Sequence, residues 1–156
     1  MSYAERLASD LSMSMKLFKK TLETFEEEDS GFGPRTDVFT VAGHVAHAAG
    51  TVDWFVDGAF GDGWNMDFEG HLAEARAVTS LAEAIAWVDR AYGRAIEVIG
   101  SSSDEELDTP IDDPQIMQGQ PRGAIVNGIT DHTAHHRGAL TVYARLLGKE
   151  PVMPYA

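Results

Sequence analysis

The chain has 156 residues, a length typical of one domain with a single hydrophobic core, and it has no cysteine, which excludes disulfides and thiolate metal sites. Asp and Glu number 25 against 12 Lys and Arg, and the resulting net charge of −13 disfavours binding to nucleic acid. No stretch is long and apolar enough to span a bilayer, and the N-terminus lacks the pattern of a signal peptide. We therefore expect one cytoplasmic domain, residues 1–156, with neither a nucleic-acid nor a membrane partner.

Apolar residues at intervals of three or four predict a first helix over residues 3–26. The segment that follows, EEEDSGFGPRTD at 26–37, ends this helix with acidic residues, glycine and proline. A second helix is predicted over 38–58, because its apolar residues share one side and no proline interrupts them. The apolar side comprises Val41, Val45, Ala48, Val52 and Phe55.

The next segment, GAFGDGWNMDFEG at 58–70, is predicted to be a glycine-rich loop that packs down through its large side chains. These side chains are Phe60, Trp64, Met66 and Phe68. Ser80 and Glu83 form a capping-box pattern that starts a third helix, which continues with helical spacing to Ile99 and ends at Gly100. Residues 101–120 are predicted to be a polar connection containing a short extended piece.

Pro121 suits the first turn of a fourth helix, because the backbone N–H that proline lacks would have no partner within the helix at that position. This helix is predicted to run to Leu147 and to end at Gly148, a residue type favoured just beyond a helix. Four long helices without an alternating strand pattern predict an all-α fold, a four-helix bundle with long inter-helix connections.

The fourth helix carries three of the six histidines, in the stretch DHTAHHRGAL at 131–140. His132 and His136 are four residues apart, and they share a stripe with apolar residues that would face the core. Two imidazoles one turn apart can reach the same divalent ion. The alternative is that both are ordinary core residues, each satisfied by hydrogen bonds.

A third ligand has to come from another element, and GHVAHAAGTVDW at 43–54 of the second helix offers candidates. His47 shares a stripe with Thr51, Trp54 and Gly58, and His44 lies about one turn earlier. One histidine from this helix and two from the fourth would leave open coordination positions, as in catalytic sites. A four-histidine site that includes His44 or His135 is the alternative, and His71 is interpreted as a surface residue.

The stretches HVAHAAGTVDWF, DHTAHHRGAL and ARLLGKEPVMPY, in this order and spacing, resemble the DinB-like family over nearly the whole chain. The resemblance implies a four-helix bundle, often dimeric, that holds one divalent metal ion by three histidines. Carried over to this chain, the metal ligands are His47, which precedes the tryptophan at Trp54, together with His132 and His136. Ala139 departs from the family pattern, since many relatives have glutamine after the Arg-Gly pair, and this puts any role of that amide in doubt.

Some relatives resemble metal-dependent transferases or isomerases that act with a low-molecular-weight thiol, whose pKa a zinc ion would lower. The resemblance therefore implies a zinc or nickel enzyme of the thiol-transferase or hydrolase type acting on a small molecule. The alternatives are a non-catalytic metal-dependent binding or stress-response module, and a purely structural bundle. Asp131 points about 100° away from His132 on the helical wheel, so we interpret it as a surface or supporting carboxylate rather than a base. A homodimer is expected, with the aromatic loop at 58–70 as its contact surface.

Overall fold

The computed structural model describes residues 1–156 and is all-helical, with two additional 3₁₀ turns at Glu27–Asp29 and Arg122–Ala124. The α-helices, in chain order, are α1 Tyr3–Leu22, α2 Val41–Phe60, α3 Phe68–Ala77, α4 Leu81–Ser101, α5 Asp104–Asp108 and α6 Ile125–Leu146. There is no β-sheet, and a single antiparallel bridge joins Pro110 to Pro121.

The starts of the long helices follow local hydrogen-bonding rules. Ser2 accepts a hydrogen bond from the backbone N–H of Glu5, whose carboxylate accepts in turn from the N–H of Ser2. Thr40 caps α2, and Ser80 caps α4 by accepting from the N–H of Glu83, which is one of the two hydrogen bonds of the predicted capping box. At the other end of the molecule, α6 stops where Gly148 adopts a φ of 75°, a conformation that favours glycine.

The four longest helices pack so that α1 and α2 each contact both α4 and α6. α2 also contacts the short helix α3. Small side chains allow the close approach: the buried residues of α2 include Ala42, Ala46, Ala48 and Ala49. The packing of α2 against α6 is what brings the second predicted helix close to the histidines of the fourth.

Two short helices, α3 and α5, lie where the sequence predicted connections. The side chain of Asp67 caps α3 by accepting a hydrogen bond from Gly70. α5 begins with a capping box formed by Ser103 and Glu106, a sequence signal of the same kind as that of α4. The extended piece predicted within 101–120 corresponds to the bridge between Pro110 and Pro121.

Helix α1 ends at Leu22, four residues before the predicted end at 26. Several acidic residues follow, and negative charge is unfavourable at the C-terminal end of a helix. The chain turns there instead, and Phe25 is buried. None of the helices combines the length and apolar character that a bilayer crossing requires.

Candidate metal centre

Helix α6 presents two histidines on its core-facing side, as their spacing predicts. His136 is buried and His132 is half-buried, and their ring centroids lie 4.4 Å apart. The same stripe continues with buried apolar residues on both sides, Ile125, Ile129, Leu140 and Tyr143. The two imidazoles are therefore fixed in the packed interface between α6 and its neighbours rather than in solvent.

Helix α2 adds His47 to this pair. Its ring centroid lies 5.0 Å from that of His132 and 4.8 Å from that of His136. One ring nitrogen from each of the three histidines lies within 4.8 Å of the other two, so the trio could hold a metal ion. We call His47, His132 and His136 the histidine triad.

The nitrogen atoms of the triad have the spacing and the chemistry of ligands. Nε2 of His132 and Nε2 of His136 are 3.1 Å apart. Two nitrogen ligands at the usual zinc–nitrogen length of about 2.0–2.1 Å lie roughly 3.4 Å apart in a tetrahedral site. The other ring nitrogen of His132, Nδ1, is buried and has no hydrogen-bond partner. A buried nitrogen without a partner costs free energy, so hydrogen bonds do not hold the ring of His132 at both of its nitrogens.

Burial keeps these imidazoles neutral. Burial and, to a smaller extent, the charges of neighbouring histidines together lower the pKa of His136 to about 2 and that of His132 to about 4. The pKa of His47 is lowered for the same two reasons. Metal binding requires unprotonated imidazole, so the triad offers its lone pairs at neutral pH without a proton to displace from a charged ring.

The remaining histidines lie outside the triad. His44 is buried behind His136, and the Nδ1 atoms of the two rings are 2.9 Å apart. Nε2 of His44 lies 3.2 Å from the hydroxyl oxygen of Tyr143. His135 is exposed on the outer side of α6. His71 differs from the surface position predicted for it, because it lies half-buried in α3 with Nε2 3.2 Å from the carbonyl oxygen of Asn65.

An open cavity of about 730 Å³ lies against the triad and includes His47 and His132 in its lining. Its walls combine aromatic rings with charged side chains, namely Trp54, Phe55, Phe68, Trp87, Asp53, Asp57, Glu74, Arg94 and Asp131. The volume is that of a typical small-molecule site. His71 also lines it, which explains its partial burial.

Hydrogen bonds fix the cavity wall that faces α4. The indole N–H of Trp87 donates to Asp53 over 2.8 Å, and Arg94 pairs with Asp57 and, at 3.5 Å, with Asp53. The sequence interpretation missed Trp87 and Arg94 as lining residues. Their spacing of seven places them on one side of α4, and this was the signal available for them.

The predicted aromatic loop forms part of the same cavity. The ring of Trp64 contacts that of Trp54, with centroids 4.6 Å apart, and Trp64 also occupies the space next to Gly58. The indole N–H of Trp54 donates to the carbonyl oxygen of Asn65 over 2.7 Å. Trp64 therefore packs down on α2, as predicted, whereas Met66 and Phe68 remain exposed, and Asn65 lies in the cavity lining.

The family model of the DinB superfamily matches residues 11–140. The match covers α2 and α4 completely and includes all three histidines of the triad. None of the curated proteins matches this chain. Since the family model covers most of the sequence, including the helices that position the candidate metal centre, the chain belongs to the DinB superfamily.

Proposed function

We propose that His47, His132 and His136 bind one divalent metal ion, zinc or nickel, and that the chain is a metal-dependent enzyme of the thiol-transferase or hydrolase type. The observation that carries the proposal is the position of the triad beside the large cavity, which two of its members, His47 and His132, line. Three histidine ligands leave coordination positions for a substrate, and here those positions would face a space large enough to admit one. The four long helices are interpreted as the bundle that is common in this family.

When bound, such an ion would lower the pKa of a coordinated thiol or water molecule. The residues of the chain then have distinct roles in holding the reactants. The rings of Trp54, Phe55 and Trp87 offer apolar contacts to a small molecule, and Asp131 places a carboxylate on the cavity side of α6. No protein nucleophile is needed in this scheme, because a low-molecular-weight thiol or water supplies the attacking atom.

The test begins with the metal content of the purified protein and with titration of the metal-free chain by zinc and by nickel. Small thiols such as 2-mercaptoethanol are then added to the metal-free and the loaded protein, and the melting temperature is recorded. We expect thiols to stabilise only the loaded protein, because coordination to the ion links their binding to the folded state. If thiols stabilise the metal-free and the loaded protein equally, or stabilise neither, coordination of a thiol to the ion is contradicted. The metal titration tests the metal site separately.

The alternative is a non-catalytic metal-dependent binding module, and one observation favours it. No carboxylate is hydrogen-bonded to a ring of the triad, whose close contacts are with other histidines. In catalytic metal sites, a carboxylate commonly accepts the hydrogen of a ligand histidine and tunes the ion, and the triad has no such carboxylate. Turnover of an electrophile by the loaded protein with a thiol, compared with a His132→Ala variant, separates the two functions.

We also propose a homodimer, with a narrower contact surface than the sequence suggested. Phe60 and Trp64 are half-buried against their own chain, whereas Met66 is 36% and Phe68 is 50% exposed. Large exposed apolar side chains are typical of contact surfaces. Sedimentation at micromolar concentration tests this, and a single species at the 17.0 kDa monomer mass would contradict the dimer.

A further inference from the structure

Behind the triad, a chain of hydrogen bonds runs from a backbone carbonyl to His136. The carbonyl oxygen of Phe39 has no hydrogen to give, so the hydroxyl of Tyr143, 2.9 Å away, must donate to it. The oxygen of Tyr143 is then left to accept, and its neighbour at 3.2 Å is Nε2 of His44. His44 therefore carries its ring hydrogen on Nε2.

A neutral histidine with a hydrogen on Nε2 has its lone pair on Nδ1. Nδ1 of His44 lies 2.9 Å from Nδ1 of His136, so the hydrogen between these two atoms must belong to His136. Nε2 of His136 then has a lone pair, and this atom is the one that faces Nε2 of His132 at 3.1 Å. One carbonyl oxygen thus determines the tautomers of two histidines in succession.

We propose that His44 is a positioning residue, which accepts the Nδ1 hydrogen of His136 and holds this ligand with its Nε2 lone pair directed into the metal site. The inference rests on the proposed metal site but concerns a residue outside the triad. Metal-binding histidines commonly donate their second ring nitrogen to such a partner, and loss of the partner weakens metal binding. Usually the partner is a carboxylate, a carbonyl or water, whereas here it is another imidazole.

Packing keeps His44 in this orientation. The side chain is buried, with the ring of Phe39 at 5.6 Å and that of Tyr143 at 4.9 Å between centroids. Both of its nitrogens are engaged, one with Tyr143 and the other with His136. His44 could act as a fourth ligand through Nδ1 only by giving up its buried hydrogen bond to His136, and that bond is what orients His136.

His132 has no corresponding partner, since its Nδ1 is buried without a hydrogen bond. In the metal-free chain, Nε2 of His132 must donate to the lone pair of His136 across the 3.1 Å contact. His132 therefore has to move its ring hydrogen from Nε2 to Nδ1 before it can act as a ligand through Nε2. The two histidines of α6 are thus inequivalent: His136 is preset for coordination and His132 has to change.

The imidazole tautomers can be read directly from ¹⁵N NMR of the metal-free protein, so this test does not depend on metal binding. We expect His136 to carry its hydrogen on Nδ1 and His44 to carry its hydrogen on Nε2. After addition of zinc, His136 should keep the hydrogen on Nδ1, whereas that of His132 should move from Nε2 to Nδ1. A hydrogen on Nε2 of His136 in the metal-free chain would overturn the proposal, whatever the metal affinity.

A matched pair of variants tests the energetic consequence. His44→Asn retains an amide oxygen that can accept from His136 and an NH₂ group that can donate, whereas His44→Leu has similar volume and can do neither. We expect His44→Leu to bind zinc about 10- to 100-fold more weakly and His44→Asn to recover most of the affinity. Equal zinc affinity in the two variants would overturn the proposal.

Tyr143→Phe provides a second variant, in case His44→Leu does not fold as judged by circular dichroism. It removes the hydroxyl that fixes the tautomer of His44 and leaves both imidazoles in place. We expect ¹⁵N NMR of this variant to show His136 divided between its two tautomers, with a smaller loss of zinc affinity than in His44→Leu. If His136 still has only the Nδ1–H tautomer in Tyr143→Phe, the hydrogen-bond chain from the carbonyl of Phe39 does not determine this tautomer.

Discussion

The histidine cluster has two sides that differ in packing and in hydrogen bonding. On the inner side, His44 and His136 are buried, and a continuous set of hydrogen bonds connects them to the backbone of Phe39. On the outer side, His47 and His132 are half-buried and line the cavity, and Nδ1 of His132 lacks a partner. The inner side is suited to fix geometry, and the outer side is suited to adapt to a ligand.

In the proposed metal site, this difference would give the two histidines of one helical turn different purposes. His132 and His136 are on the same stripe of α6, yet only His136 reaches the interface where α2 supplies a hydrogen-bonding partner. Rigid support of one ligand limits the entropy lost on metal binding. A less constrained second ligand leaves room for rearrangement when a substrate enters.

The largest effect is expected from removal of a triad residue. His136→Ala, His132→Ala and His47→Ala should each lose nearly all bound metal after dialysis, because two histidines leave the ion too few protein ligands. Metal analysis of the purified variants measures this. His135→Ala is the matched control on α6, since His135 is exposed, and it should keep its metal. Full occupancy in His132→Ala or His136→Ala would contradict the triad, and loss in His44→Ala but not in His47→Ala would assign the α2 ligand to His44.

The next effect concerns stability against acid and chelation. The pKa of His44 and that of His132 are lowered to about 4 by burial, so the folded metal-free chain does not bind the protons that the unfolded chain takes up below its ordinary value of 6.5. Stability should therefore fall as the pH decreases from about 6.5 towards 4. Each such histidine contributes a loss of about 1.4 kcal/mol per pH unit in the free energy of unfolding.

Chelation should lower the melting temperature at neutral pH, where the triad is unprotonated and an ion can bind the folded state. An ion present at 100 times its dissociation constant adds about 2.7 kcal/mol to the free energy of unfolding. Thermal melts with and without EDTA between pH 5 and 8 measure both effects. If the metal-free and the loaded protein melt at the same temperature at neutral pH, no ion bound between His136 on the inner side and His47 and His132 on the outer side stabilises the fold.

The long helices and the pairing of two histidines on one side of α6 could be predicted from the sequence, because both depend on local periodicity. A four-residue spacing places His132 and His136 on one side of any helix, whatever its neighbours are. The same reasoning could not distinguish His44 from His47. They are three residues apart on α2, and which one faces the cavity depends on how α2 crosses α6.

The cavity could not be predicted, because its lining comes from residues far apart in the chain. Asp53 on α2 meets Trp87 and Arg94 on α4 only after the helices pack. Helix α3, which brings His71 to the cavity, has ten residues and only one that is buried, so its periodic signal is weak. By contrast, α5 could have been predicted, since Ser103 and Glu106 repeat the capping-box pattern recognised at Ser80.

A smaller effect is expected from a glycine that supports the outer side. A Cβ atom at Gly128 would lie 2.7 Å from the ring of Phe55 in the cavity wall, whereas a Cβ atom at Gly138, also on α6, would meet nothing within 4 Å. Gly138→Ala should stabilise the protein by up to about 1 kcal/mol through helix propensity. Gly128→Ala should instead destabilise it, because overpacking costs about 1–3 kcal/mol and exceeds that gain.

Urea denaturation of both glycine variants gives the two free energies, and zinc titration tests whether the metal centre is affected. We expect zinc affinity to stay unchanged in both, since the nearest atoms to an added Cβ belong to Phe55 at Gly128 and none lie within 4 Å at Gly138. Equal stabilisation by the two substitutions would mean that Phe55 moves away without cost. A loss of zinc affinity in Gly128→Ala would show that the cavity wall and the metal centre are more tightly coupled than the comparison of the two sides suggests.

The smallest expected effect concerns the charge of the outer side. Arg94 is shared by Asp53 and Asp57, whereas the cavity carboxylates of Glu74 and Asp131 have no ion-pair partner. The cavity is therefore negative, and a ligand with an ammonium group should bind better than one with a carboxylate. Unit charges about 4 Å apart in water interact by about 1 kcal/mol, which corresponds to roughly a fivefold difference in affinity. For the zinc-loaded protein, we expect 2-aminoethanethiol to bind more tightly than 2-mercaptoethanol, and 3-mercaptopropionate to bind most weakly.

Asp131→Asn should reduce this preference, and so should added salt, because the carboxylate is exposed and its field is screened. Asp104→Asn is the matched control, since it changes the net charge equally but lies on α5, outside the lining of the cavity. Calorimetric titration of the three thiols into both variants measures the change. An equal effect of the two substitutions would assign the preference to the overall charge of −13 rather than to the cavity. If 3-mercaptopropionate binds most tightly instead, Arg94 leaves Asp53 and Asp57 and binds the carboxylate of the ligand.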